Sequence, residues 1–170
     1  MREITSTVLL GKGELLYLIQ GQPARGRYTE LLTERFRISE PDAGEALKSL
    51  IRKNILYFAG GRLVTVRLYD FLIRHICGAD KCVIIETIEG DRLVFVVEKF
   101  YILAEEHELQ RDVVRIAAYR DADGVAEAVK GAWDACPSLK LTIYPGEDVK
   151  ECSLPGFLGA LGAAGGETAN

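Results

Sequence analysis

His75, Cys77 and Cys82 stand close together in the chain, and Cys136 and Cys152 follow far downstream. Thiolates and imidazole together are the ligand set of zinc, but this spacing does not match paired zinc knuckles, so structural thiols or a disulfide are expected. Four cysteines allow three pairings. Asp91, Glu98 and Lys99 would be a nuclease-type set, in which carboxylates hold Mg²⁺ and a lysine steadies the attacking water. Glu98 and Lys99 are adjacent, however, and on a strand they face opposite sides, which argues against a joint site. Neither His75 nor His107 has a nucleophile signature beside it, and His107, between Glu106 and Glu108, reads as an exposed residue of a charged helix. No glycine-rich phosphate loop follows a strand, and the glycines of GFLGALGAAGG lie in a small-residue tail. The expectation is a protein that is not an enzyme and that carries no metal site and no cofactor.

Binding is the remaining chemistry, and charge indicates where. Up to Arg67 the chain has eleven lysines and arginines against seven acidic residues; beyond it the balance is ten against eighteen. A phosphate backbone attracts the first half and repels the second. The basic residues that would meet it are Arg25, Arg27, Arg35 and Arg37, then Lys48, Arg52 and Lys53 with Ser49 among them, and Arg62.

The elements that must position these residues are legible in the apolar pattern. Leu9, Leu10, Leu15, Leu16, Leu18 and Ile19 predict a first helix, which ends near Gly21 and Pro23. Leu31, Leu32 and Phe36 predict a second helix over Thr29 to Arg37. Ser39 is a good N-cap, Pro41 suits a first turn, and Ala43, Ala46, Leu47, Leu50 and Ile51 make one face of a third helix reaching about Asn54. Its outer face carries Asp42, Glu45, Lys48, Ser49 and Arg52. After Asn54 the period drops to two, and Ile55 to Phe58 and Arg62 to Val66 read as a hairpin turning through Ala59, Gly60 and Gly61.

The stretch ELLYLIQGQPARGRYTELLTERFRISEPDAGEALKSLIRKNILYFAGGRLVTV resembles the winged helix-turn-helix family. The resemblance implies a DNA-binding fold over residues 1–67, whose third helix enters the major groove while the hairpin, its wing, touches phosphate. Winged helices also dock proteins, and the acidic start of the third helix, with Glu40, Asp42 and Glu45, would lie close to phosphates in a groove.

For the acidic half the pattern predicts a helix from Leu68 to Cys77, a hairpin of Val83 to Ile88 and Leu93 to Val97, and a helix from about Phe100 to Leu109. A strand at Val113 to Tyr119, a helix at Gly124 to Ala135 and a strand at Leu139 to Tyr144 follow. Strands alternating with helices predict a small α/β domain over 68–152, followed by a flexible tail over 153–170. The whole is expected to be α+β. Within this half ELQRDVVRIA is similar to a segment of the C-terminal domain of archaeal tRNA-splicing endonucleases, which use a Tyr, His and Lys set. Asp91 and the 121–123 region stand where the His and Lys would be sought, so this resemblance implies a non-catalytic subunit.

With 48% hydrophobic and 27% charged residues the chain has the composition of a globular protein, and no apolar run reaches spanning length. The start of the chain lacks the pattern of a signal peptide, so a cytoplasmic location is expected. Amides are few and Met1 is the sole methionine, as in thermophile proteins. The expected function is a DNA-binding transcription regulator whose acidic half dimerises it or senses a ligand. The alternative is an assembly subunit that joins a heteromeric nucleic-acid-processing complex.

Overall fold

Val83 to Ile85, Leu93 to Phe95 and Ile102 to Ala104 are three runs, each without polar interruption, whose residues are all fully buried. Consecutive strand residues face opposite sides, so these strands need cover on both faces. The computed structural model, which describes residues 3–23, 26–40 and 42–164, supplies that cover from two different sets of helices.

The chain begins with β1 (Glu3–Gly11) and α1 (Lys12–Gln20), continues through α2 (Thr29–Arg35) and α3 (Ala43–Arg52), and forms a hairpin of β2 (Leu56–Ala59) and β3 (Arg62–Thr65). After α4 (Arg67–Cys77) comes an antiparallel meander of β4 (Lys81–Thr87), β5 (Gly90–Val96), β6 (Tyr101–Glu106) and β7 (Val113–Tyr119). Then come α5 (Ala122–Ala135), the strands β8 (Leu139–Tyr144) and β9 (Asp148–Cys152), and α6 (Leu154–Ala164). The result is a mixed α/β protein built on one seven-stranded antiparallel sheet in the order β1-β7-β6-β5-β4-β8-β9, with β2 and β3 paired separately.

On one face of the sheet Ile84, Phe95, Ile102 and Ile116 pack with Leu15, Leu32, Leu50 and Leu72 of the first four helices in a single cluster. On the other, Val83, Val94, Leu103 and Ala117 pack with Val125, Val129 and Trp133 of α5 and Phe157 and Leu161 of α6. Each such side chain contributes roughly 2 kcal/mol relative to exposure. Among the described residues no helix is long and apolar enough to cross a membrane.

The structure departs from the sequence-based expectations in several places. Leu9 and Leu10 belong to a strand, not to the first helix: Val8 and Leu10 are buried while Thr7 and Leu9 are exposed, the period of two that pairing with β7 demands. The helix expected from Phe100 to Leu109 is the strand β6. Its Leu, Ala and Glu favour helix weakly, but hydrogen bonding to neighbours on both sides and burial of Ile102, Leu103 and Ala104 outweigh that preference. Because β6 is a strand, the expected alternation of strand and helix becomes a meander. The cap of α3 is Asp42, not Ser39; its Oδ1 accepts from Gly44 N at 3.0 Å and Glu45 N at 3.3 Å. Of the segment expected as a flexible tail, residues 154–164 form α6, held by the fully buried Phe157 and Leu161. Pro41, expected in the first turn of α3, and residues 165–170 of the expected tail lie outside the described residues.

Candidate nucleic-acid interface

The side chains of α3 divide by period. Ala46 and Leu50 are buried, with Leu47 and Ile51 packed beside them, whereas Glu45, Lys48 and Arg52 are exposed. The helix is fixed from behind by Glu14 of α1, a nearly fully buried carboxylate. Its Oε1 accepts from Gly11 N at 2.8 Å, Ser49 Oγ donates to its Oε2, and Lys53 Nζ lies 2.9 Å from that same oxygen. Burial alone would raise the Glu14 carboxyl. The Ser49 hydroxyl, the Gly11 N–H and the Lys53 ammonium together outweigh it and hold the group below its ordinary value. The carboxylate is therefore charged, and it joins the end of β1, the start of α1 and the second half of α3.

This arrangement sorts the basic residues nominated from the sequence. Lys48 and Arg52, four apart on the outer face of α3, and Arg27, Arg37 and Arg62 are exposed and form no ion pair among the described residues. Ser49 and Lys53 are committed to Glu14. Arg35 is committed to the sheet, its Nη1 lying 3.0 Å from Asp91 Oδ2 and 3.2 Å from Glu86 Oε2. Arg25 lies outside the described residues. Asp42 and Glu45 are also exposed at the start of α3, so the positive part of its surface is the second half.

The hairpin packs against α3 through β2 and contributes residues that charge counting does not reveal. Phe58 and Leu63 stand directly opposite one another across β2 and β3 and are 68% and 38% exposed; Tyr57 is 45% exposed. Cross-strand apolar pairs normally lie against a core, and an exposed one marks a contact surface. The signal in the sequence is that Phe58 and Leu63 are each one residue removed from the Gly60–Gly61 turn, too close to the tip to reach the core.

The other chemistry-bearing residues do not converge. All four cysteines are free; Cys77, Cys82 and Cys152 are buried and Cys136 is exposed. Burial pushes the Cys77 thiol up to about 11 and that of Cys82 higher still, so both are protonated at neutral pH and inert. His75 meets Phe71 at a tilt and Phe100 edge-on, with its Nδ1 2.7 Å from the Phe71 carbonyl oxygen. Among the described residues no group of three His, Cys, Asp or Glu is placed to hold a metal. Glu98 and Lys99 lie in the exposed turn after β5, at the far end of that strand from Asp91. His107 is half-buried in the β6–β7 turn, where its Nδ1 accepts from Leu109 N at 3.2 Å. No protein-family model matches the chain, and no curated protein matches it.

Proposed function

We propose that residues 1–67 act as a winged helix that docks on duplex DNA, and that the protein is a cytoplasmic transcription regulator. The observation that carries this reading is the placement of Lys48 and Arg52 on the outer face of α3, with Arg62 on the adjoining hairpin, all exposed and without ion pairs among the described residues. Point charges on a rigid, internally braced helix suit phosphate contact. Because Asp42 and Glu45 make the start of α3 acidic, the second half of the helix and the hairpin approach the backbone, and the N-terminal turn stays clear of it. In this reading the half that follows residue 67 dimerises the protein or senses a ligand, and a two-fold dimer would match paired half-sites. The test is a fluorescence-anisotropy titration of the full chain with random-sequence duplex over a range of salt. Affinity that falls steeply with salt is expected; flat or undetectable binding overturns the reading.

A second reading rests on Phe58 and Leu63. An exposed apolar pair on a hairpin also suits a protein partner, which would make the chain a non-catalytic assembly subunit of a nucleic-acid-processing complex, as the similarity of ELQRDVVRIA implies. Co-purification of one stoichiometric partner from native lysate, with no duplex affinity of the isolated chain, would favour it.

A further inference from the structure

Where α5 and α6 stop covering the sheet, its face changes from apolar to charged. Val94, Leu103 and Ala117 are fully buried in the core on that face. One step along the same face, Arg92, Glu105 and Arg115 stand directly opposite one another on β5, β6 and β7. They line a groove of about 950 Å³, bounded by the β4–β5 and β6–β7 turns and by Gly124, Glu127 and Ala128 of α5. This volume lies at the upper end of the range typical of small-molecule sites.

The charges in the groove are ordered by depth. At the floor one carboxylate is shared by two guanidiniums: Glu105 Oε1 lies 3.2 Å from Arg92 Nε, and its Oε2 accepts from Arg115 Nη1 at 3.0 Å. One positive charge is left over there. A guanidinium has five N–H donors, and among the described residues the remaining ion pair of either arginine is that of Arg92 Nη2 with the exposed Glu89 at 3.8 Å, too long for a hydrogen bond. The floor thus presents donors to an incoming anion. The rim is mainly of the opposite sign, its exposed cation Arg111 lying 3.8 Å from Glu106 Oε1. Glu108 is exposed and has no ion pair among the described residues, and Glu127 makes only the exposed helix-surface pair with Lys130, worth little in water.

We propose that this groove binds a small zwitterion, an amino acid or a short peptide with free ends, its carboxylate held by Arg92 and Arg115 and its ammonium by Glu108 and Glu127. A bare anion would meet the acidic rim, and a bare cation would meet the arginines; a ligand carrying both charges satisfies both ends. The assignment gives a chemical class to the ligand-sensing role proposed for the sheet. It does not need the nucleic-acid reading, because its test contains no nucleic acid.

The experiment is a thermal-shift and calorimetric titration of the full chain at millimolar concentrations of the twenty amino acids and of trialanine. N-acetyl-trialanine and trialanine amide, each lacking one charge, are the controls. Binding by at least one free amino acid or by trialanine is expected, with each control, and each of the variants Glu127→Gln and Arg115→Gln, weakening trialanine or its amino-acid counterpart by about tenfold, as loss of a charged hydrogen bond implies. Glu127 is an exposed helix residue, so Glu127→Gln is informative even if Arg115→Gln loosens the sheet. Absence of binding by every zwitterion, or equal binding of N-acetyl-trialanine and trialanine, overturns the proposal. Loss of duplex affinity with binding in the groove intact would overturn only the DNA reading.

Discussion

Glu14 and Lys53 meet at 2.9 Å across the helical layer, the carboxylate almost fully buried and the ammonium half exposed, and they tie the first turn of α1 to the residue that ends α3. A charged carboxylate that is buried and depends on three donors makes folding sensitive to acid. Its folded pKa lies below the unfolded one, so its contribution is complete above the ordinary glutamate value and is lost as pH falls through the lower folded value. Glu14→Gln should lower stability by about 2 kcal/mol at pH 7, because Ser49, Gly11 and Lys53 lose a charged acceptor. Denaturant melts of both proteins from neutral to acid pH test this: the gap should close in acid, and a gap independent of pH would contradict it.

The same brace separates cations that hold the fold from cations available to phosphate. Arg52→Ala and Arg62→Ala should each leave the melting temperature nearly unchanged and reduce the salt slope of duplex binding by about 1. Arg35→Ala should do the reverse. It removes the partner of Asp91 and Glu86, so it should destabilise the protein while leaving the salt slope as in the wild type. Equal slopes for all three variants would show that α3 and the hairpin do not meet phosphate.

How far the sequence disclosed this arrangement depended on whether a residue's surroundings were local. The spacing of Leu47, Leu50 and Ile51 and the Gly60–Gly61 turn reflect contacts within a few residues, and α3 and the hairpin could be read from them. Strand β6 could not, because YILAEE is a strand only through pairing with β5 and β7, whose register is set by distant residues. Strand β9 is hidden for a related reason: Asp148, Lys150 and Glu151 give it the polarity of a loop, as suits an edge strand. Arg35 has the local setting of a phosphate ligand because its carboxylate partners lie some fifty residues away in the chain, and no local pattern reports them.

Gly26 shows how tightly the loop before α2 lies on α4. It has a φ of +82°, and a Cβ there would sit 1.9 Å from the Cys77 carbonyl oxygen. Since the obstacle is backbone, it cannot move aside as a side chain would. Gly26→Ala should cost about 3 kcal/mol, from the clash together with the left-handed backbone. Gly60→Ala, at a φ of +60° but in open space, should cost only about 1 kcal/mol. Similar losses in chemical denaturation would mean that the loop does not rest on α4.

Thiol reactivity gives an independent measure of the core beneath the first four helices. At mildly alkaline pH iodoacetamide should modify Cys136 rapidly, since it is exposed, and leave Cys77 and Cys82 unmodified until the protein unfolds. Mass spectrometry after limited labelling checks this. Early labelling of Cys82 would be incompatible with its place on a central strand beneath the helical layer.

The fold of the last helix can be tested by substitutions of opposite sign. Phe157 is fully buried, and its ring centroid lies 5.2 Å from that of Trp133, whose Nε1 donates to the Cys152 carbonyl at 2.8 Å. Removing the ring should leave a cavity beneath α6 and cost about 3 kcal/mol. Gly159, on the same helix, has nothing within 4 Å of where a Cβ would stand, so Gly159→Ala should raise stability by about 0.5–1 kcal/mol through helix propensity alone. A mobile tail would give no change in either variant, because neither packing nor helical backbone would be present to respond. Thermal melts in which Phe157→Ala falls and Gly159→Ala rises would therefore assign α6 to the folded unit. Flat results for both would return the segment to the tail that its run of glycine and alanine first indicated.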